Sequence, residues 1–570
     1  MQSVITRLLF AFIACLGLGF VMNQYHLPIP IYTEIVAVLI IVLIIAYYFA
    51  VRKFKEKTAF LTLVLINTGL FFALYIFFYE VIQVVFDYSL IWQFIIVLVS
   101  LAVVIFNVIA VQYHRKKKAI NGNEIIMLIS IFCFLFRTLY TLYNPITNIS
   151  RQHDTIAFTS GGGHLGYIWH IWAYGKIPEA DPRTLWEFYQ PPLYYILCGY
   201  WVKLFTIFRV PLIEATENIQ LFSLFCVTGT GIMLDAITQR LTKNNLCRCI
   251  VTLCFAICPL FTYLAGSVNN DALLLLLFTV SIYLLIEWYE TDSISSFILL
   301  AVFTGLTVMT KISGTLIAVP ILVLFVAKLI NEKKSKRIID YLLFGVISLP
   351  LGLWWNARNT IKFGMPFVYF HEASRESVQF IPNYTVAERL FDLRNQLNHL
   401  YIEIFNSSEN VDHNIIVSSL KTMIFESSAD VNYSIVTIIL GWVMMILSIS
   451  GAISALVMLI MLIINGKRNS FNYRINREQV IMLASIIISQ VVFYLYFNFA
   501  HPFVHNMHIR YIMPALIAVF ILISLYVYTG NFRFKRTEGK CLVKRIGILT
   551  VGIYASCLVA YIFLTMIISY

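Results

Sequence analysis

The chain has 570 residues, 60% of them hydrophobic and 12% charged, and its mean hydropathy is +0.82. That is more apolar surface than a soluble core encloses, and apolar runs near twenty residues recur throughout, which excludes a soluble domain and points to a polytopic helical membrane protein. The net charge of +12 could suit nucleic acid, but the basic residues stand in short runs at the ends of apolar segments, as topology signals do, so no nucleic acid partner is expected.

The ten cysteines fall in or beside apolar runs or in cytoplasmic-looking loops, and none lies in 144–189 or 356–432. No disulfide framework is implied. Cys247, Cys249, Cys254 and Cys258 are closely spaced, but they sit at the mouth of an apolar run without a second ligand pair and read as core packing.

In chain order, apolar runs predict spans at 8–22, 31–50, 59–86, 90–112 and 125–143. Arg52, Lys53, Lys55 and Lys57 mark one cytoplasmic loop and Arg115 to Lys118 the next, so the segment that follows falls outside. Counting 191–206 as a span would put Arg240, Lys243 and Arg248 outside. It is therefore read as a re-entrant or surface helix opened by Pro191 and Pro192. Spans follow at 217–238, 249–265, 272–288, 295–309, 313–330 and 339–355, then at 436–464, 480–499, 511–529 and 546–568. The basic loops 331–337, 466–477 and 532–545 lie inside. The expectation is an all-α chain of about fifteen spans with external interface helices. It divides into a four-span extension (1–118), a core (119–355) with a first external loop (144–216), a large external loop (356–432) and C-terminal spans (433–570).

Within the first external loop, His153 and Asp154 precede a glycine triplet at 161–163, then His164 and an aromatic stretch with Trp169, Trp172 and Tyr174. This stretch is too polar at its start to cross lipid and suits the membrane interface. The predicted topology brings Asp154, His164, Glu187, Asp271, Lys311, Arg358, His371, Glu372, His501, His505, His508 and Arg510 to the external side. An outward-opening cleft with carboxylates, histidines and cations at the membrane surface suits an enzyme acting on a lipid-linked substrate. A transporter or flippase would place its ionisable groups near the midplane, where Glu80, Arg137 and Asp235 are the candidates.

The order of motifs carries a family resemblance. The His153-Asp154 pair, QPPLYYIL (190–197), SVNNDALL (267–274), TKISG (310–314), WWNARNTIKFGMPF (354–367) and HIRYIMPAL (508–516) together resemble the GT-C superfamily of membrane glycosyltransferases. The nearest pattern is glycosyltransferase family 39, the protein O-mannosyltransferases and lipid A aminoarabinose transferases, over roughly 125–530. The resemblance implies a polyprenyl- or dolichyl-phosphate sugar donor, an acceptor protein, glycan or lipid, and transfer with inversion on the external or lumenal face. It implies a catalytic carboxylate at Asp154 and a second acid at Asp271. The mannosyltransferases carry a His and a Lys around their Pro-Pro segment, where this chain has Gln190 and Tyr194-Tyr195. The first four spans fall outside the common core.

Single displacement at an anomeric carbon needs a base for the acceptor proton and a cationic site for the departing phosphate. Asp154 is the candidate base, with His153 orienting it or acting alongside it; the bland reading of Asp154 is a helix N-cap. Asp271 reads equally as the cap of the span 272–288. A second carboxylate near the first can raise one pKa, hold a divalent cation or orient the acceptor hydroxyl. Arg510 is favoured for the phosphate, with Arg358 and Lys311 behind it, each also readable as a snorkelling anchor. His164, Glu187, Gln190 and His501 are candidate substrate contacts. His501, His505 and His508 are three histidines in eight residues, a spacing that suggests metal although no carboxylate stands beside them. A glycan ligase or polymerase with a pyrophosphate-linked donor is the chemical neighbour of this reading. Sequons at Asn148, Asn383, Asn406 and Asn432 fall outside in this topology. The membrane is the endoplasmic reticulum if the source is eukaryotic and the plasma membrane if it is bacterial.

Overall fold

The computed structural model describes residues 2–21, 60–61, 63–64, 69, 90–117, 120–146, 162–242, 244–332, 336–371, 374–381, 384–394, 397, 402, 412–426, 434–464, 475–533 and 539–568. Among these residues the secondary structure is helical, and extended pairing is confined to an isolated antiparallel bridge between Phe380 and Phe503. Ten described helices are long and apolar enough to cross a membrane, or eleven if one bent pair is a single span. Ile294–Thr310, with 17 residues, stands at the lower limit of a crossing helix. The chain is thus an all-α, multi-pass membrane protein. The expected spans 31–50 and most of 59–86 lie outside the described residues.

The two interface helices appear as Gly163–Tyr174 and Leu193–Ile207. At 12 and 15 residues both fall short of the ~17 needed to span hydrocarbon. They pack on each other closely, since a Cβ on Gly199 would come within 2.7 Å of Ile171. Trp172 Nε1 donates to Thr206 Oγ1 at 3.2 Å across the same seam.

The expected span 249–265 is broken into Asn245–Ile257 and Pro259–Ala265, bent by 61°. The cause is local. Proline opens the second piece, and Cys258 before it is extended, with φ −74° and ψ 117°. Pro259 has no N–H, so the carbonyl of Phe255, its partner four residues back, loses its helical donor. Arg137, fully buried in the span Gly122–Tyr143, takes over: its Nη2 donates to Phe255 O at 2.7 Å, and its guanidinium lies 4.5 Å from the Phe255 ring centroid. Asp235, buried two turns from the end of Ile219–Thr242, is held by Arg248 at 2.8 Å and Arg7 at 2.9 Å. Glu80 lies outside the described residues.

Asp271–Thr291 shows how the helices separate two polar ends. Its N-terminus meets Lys311. Its C-terminal turns carry Glu287 and Glu290, both paired with Arg240; beyond them Asp292 pairs with Arg337 and, at 3.0 Å, with Lys328. A 21-residue helix is about 30 Å long, one hydrocarbon thickness. The ion-pair belt and the Asp271 end therefore face opposite membrane surfaces.

Arg137→Met should cost about 1.5–3 kcal/mol, the worth of a hydrogen bond from a charged donor. In a Pro259→Ala background the alanine N–H can reach Phe255, and the cost of Arg137→Met should fall by about 1 kcal/mol or more. Thermal unfolding of the four variants in detergent measures the coupling. Equal costs in both backgrounds would mean that Arg137 is not held by the proline break.

Candidate active site

The loops at the Asp271 end of the helices are stitched together around the site. Ile381 N donates to Pro502 O at 2.8 Å and Val504 N to Gln379 O at 2.9 Å, flanking the Phe380–Phe503 bridge. Trp355 Nε1 donates to Tyr189 O at 3.0 Å, tying Lys336–Phe363 to the turn before Pro191. Under this roof lies an open cleft with room for water-sized groups over about 80 Å³. His164, Glu187, Gln190, Lys311, His501 and Arg510 all line it, and so do Asn269, Asn270, Trp186, Tyr189, His371 and Tyr511.

The floor is an ion pair. Lys311 Nζ donates to Asp271 Oδ1 at 2.7 Å, with Asp271 1% and Lys311 9% exposed. The sequence reading of Asp271 as a helix cap is corrected here. Asn270 holds the cap position without a side-chain bond, and Asn269 Oδ1 accepts the Asp271 N–H at 2.8 Å. Asp271 is the first residue of the helix, which frees its carboxylate for Lys311 and leaves Oδ2 buried without a hydrogen bond. Lys311 caps the C-terminus of Ile294–Thr310 in extended conformation, so the two charges come from adjacent helices at the same end.

Tyr511 links this pair to the second cation. Lys311 Nζ stands 5.1 Å and the Arg510 guanidinium 5.3 Å from its ring centroid. On the facing wall, His164 Nδ1 lies 2.9 Å from the Tyr195 hydroxyl. Burial pushes the Tyr195 phenol well above its ordinary range. It therefore stays protonated beside His164. Gln190 donates to Tyr189 Oη at 3.2 Å, and His371 Nδ1 lies 3.2 Å from Tyr369 Oη.

Other candidates go elsewhere. Arg358 lies outside the cleft: it donates to Pro178 O at 2.8 Å and to Asn359 Oδ1 at 2.7 Å, and stacks 4.6 Å from the Trp355 ring centroid. Its work is to fasten the 175–184 segment to the end of Lys336–Phe363, together with Lys362 and Arg183. The three histidines diverge. His508 Nδ1 accepts the Arg510 N–H at 3.1 Å while Nε2 faces Glu426 at 3.7 Å, His505 bonds Gln379, and His501 packs against Phe497 and Phe370. Among the described residues no three His, Cys, Asp or Glu side chains are grouped to hold a metal. At Asp271 the ammonium of Lys311 already stands where a cation would. Asp154, His153, Glu372 and all four sequon asparagines lie outside the described residues.

Several lining residues were not singled out from sequence. Tyr511 follows Arg510 directly, Asn269 and Asn270 precede Asp271, and Trp186 and Tyr189 bracket the turn before the Pro-Pro pair. Adjacency to a charged candidate is the signal that could have found them.

Lys311→Met should destabilise the protein by about 3–5 kcal/mol, since it leaves a buried carboxylate unpaired. The double variant Lys311→Met, Asp271→Leu should recover much of that loss, because an apolar pair replaces both charges. Thermal unfolding reads both. A single variant as stable as the parent would show that Asp271 does not depend on Lys311.

Residues 214–380 match the sequence model of a family described as dolichyl-phosphate-mannose-protein mannosyltransferase. A comparison with curated proteins gives no match. Among solved structures the chain is similar to ArnT from Cupriavidus metallidurans in the apo state, at 12% identity and a TM-score of 0.43, over 76% of each chain. It is similar to the same protein bound to undecaprenyl phosphate at 13% identity and a TM-score of 0.40, again over 76% of each chain. Likeness to the Archaeoglobus fulgidus oligosaccharyltransferase, in a complex with zinc and sulfate, is 11% identity and a TM-score of 0.37, over 76% of this chain and 53% of that one. The family match spans SVNNDALL, TKISG and WWNARNTIKFGMPF, three of the motifs that carried the resemblance. It bears that resemblance out: the chain is a polytopic membrane protein of the glycosyltransferase type, mannosyltransferase-like across 214–380.

Proposed function

We propose that the protein transfers a sugar from a polyprenyl- or dolichyl-phosphate donor to an acceptor hydroxyl on the external or lumenal face, with inversion at the anomeric carbon. The observation that carries this reading is the placement of Lys311 and Arg510, 5.1 and 5.3 Å from the Tyr511 ring centroid, at one end of the helices and in one cleft with His164 and Glu187. A departing lipid phosphate brings negative charge to that wall as the glycosidic bond breaks. The Arg510 guanidinium fork suits its oxygens, and Lys311 adds a point charge already oriented by Asp271.

The base is proposed from chemistry and resemblance. Asp154 takes the proton of the acceptor hydroxyl as its oxygen attacks the anomeric carbon, with His153 orienting the carboxylate. It precedes Gly162, the residue at the N-cap of Gly163–Tyr174, by eight positions. His164 opens the same helix and lines the cleft. The basic loops support an external or lumenal orientation of this end.

Asp154→Asn should abolish transfer, by about a hundredfold or more, while the protein stays folded and binds the lipid donor. Asparagine keeps most of the capping ability of aspartate, so a cap alone would leave turnover near normal. Turnover of the purified variant, set beside its thermal stability and donor binding, decides between the two. Arg510→Ala should raise the donor KM more than the acceptor KM, and Arg510→Lys should recover only part of the loss. An unchanged donor KM with a raised acceptor KM would take Arg510 out of the phosphate role.

A further inference from the structure

Glu187 is built into the cleft against its backbone preference. Its φ is 68°, in the left-handed region, where glycine or asparagine is at home and a glutamate is held only by its surroundings. Those surroundings are specific. The Trp186 carbonyl before it accepts the Gly163 N–H at 2.9 Å, and the Gln190 N–H after it donates to the Glu187 carbonyl at 3.0 Å. Phe188 stacks on Tyr167, with ring centroids 4.6 Å apart, and Tyr167 stacks on Tyr195 at 4.0 Å, while Trp186 meets the edge of His371 at 4.8 Å. With its neighbours anchored, the strained residue lines the cleft, 7% exposed.

The carboxylate there is unpaid for. Oε2 is buried without a hydrogen bond, and Glu187 forms no ion pair among the described residues. The cleft's lysine, Lys311, pairs with Asp271 instead. A buried carboxylate accepts hydrogen bonds and donates none, so what completes it must bring donors. Beside the cations Lys311 and Arg510 and the histidines, the cleft wall carries the amides of Gln190, Asn269 and Asn270 and the rings of Trp186, Tyr189 and Tyr511. Amides, a carboxylate and aromatic faces together suit a neutral polyhydroxylated ring, whose hydroxyls donate and whose C–H face stacks.

We propose that Glu187 is a specificity-determining residue that accepts hydrogen bonds from hydroxyls of the sugar carried by the lipid donor. This role rests on the glycosyltransferase reading above and adds to it the group that distinguishes a sugar-bearing lipid phosphate from a bare one. The anchored neighbours hold the carboxylate there against the strain at φ 68°.

The test compares binding of polyprenyl-phosphate mannose and of polyprenyl phosphate to the full-length protein, its Glu187→Gln variant and its Glu187→Gly variant. The parent should prefer the mannosyl lipid by ten- to a hundredfold, the range of a hydrogen bond to a charged group. The preference should shrink in Glu187→Gln and vanish in Glu187→Gly, with affinity for polyprenyl phosphate unchanged. Glu187→Gly should melt at or above the parent temperature, because glycine adopts this conformation without strain. A preference unchanged in both variants, or an equal loss of both lipids, overturns the role. If instead acceptor KM rises while the lipid preference stays, the hydroxyl belongs to the acceptor and the sugar assignment is wrong. A parent protein that binds neither lipid strikes the glycosyltransferase reading itself, and this role falls with it.

Discussion

The buried pair of Asp271 and Lys311 is the interaction on which the cleft depends. Neither charge is tolerable alone at this depth, because an unpaired ion in a low-dielectric interior costs several kcal/mol. Together they join the start of Asp271–Thr291 to the end of Ile294–Thr310 and leave the ammonium facing Tyr511 and, beyond it, Arg510. Removing the carboxylate would leave the lysine buried without its counter-ion, and removing the lysine would do the same to the carboxylate. The pair thus has a structural role that any catalytic role must be layered upon.

The same helices carry their remaining charges to the other end. Arg240 pairs with Glu287 and Glu290, and Arg337 and Lys328 pair with Asp292, so each of these carboxylates has a cation. The cleft end is less self-satisfied: Asp271 Oδ2 and Glu187 Oε2 are buried without hydrogen bonds. That contrast between a neutralised end and an unsatisfied one is what marks the site, more than the number of charges at either. The buried charges Arg137 and Asp235 stand apart from the cleft and from the belt. One mends a proline break and the other is held by two arginines, so packing accounts for both without an intramembrane path.

Much of the fold was legible because hydrocarbon thickness and apolar run length are the same quantity seen twice. The runs predicted at 272–288 and 436–464 emerge as Asp271–Thr291 and Ile435–Ile464. The refusal to count 191–206 as a span rested on Arg240 and Arg248, and the resulting helix has 15 residues. The site was legible only in part. Periodicity and charge place a residue at an end of a helix, but they do not say which neighbour a side chain meets. Asp271 looked like a cap because Asp at a helix start usually is one, and Asn269 had taken the Asp271 N–H instead. Arg358 sits at the right end and turns away to Pro178. The pairing of Asp271 with Lys311 spans 40 residues and leaves no local pattern. The strain at Glu187 is a backbone property that no side-chain spacing records.

The central claim is that Lys311 and Arg510 form the seat of a lipid phosphate. An experimental density map of the protein bound to polyprenyl phosphate tests it most directly. The account predicts phosphate oxygens about 2.7–2.9 Å from the Arg510 guanidinium nitrogens and Lys311 Nζ, with the isoprenoid leaving the cleft toward the lipid. A phosphate seated at the Arg240 and Arg337 end, or at Arg358 with the cleft empty, would contradict it.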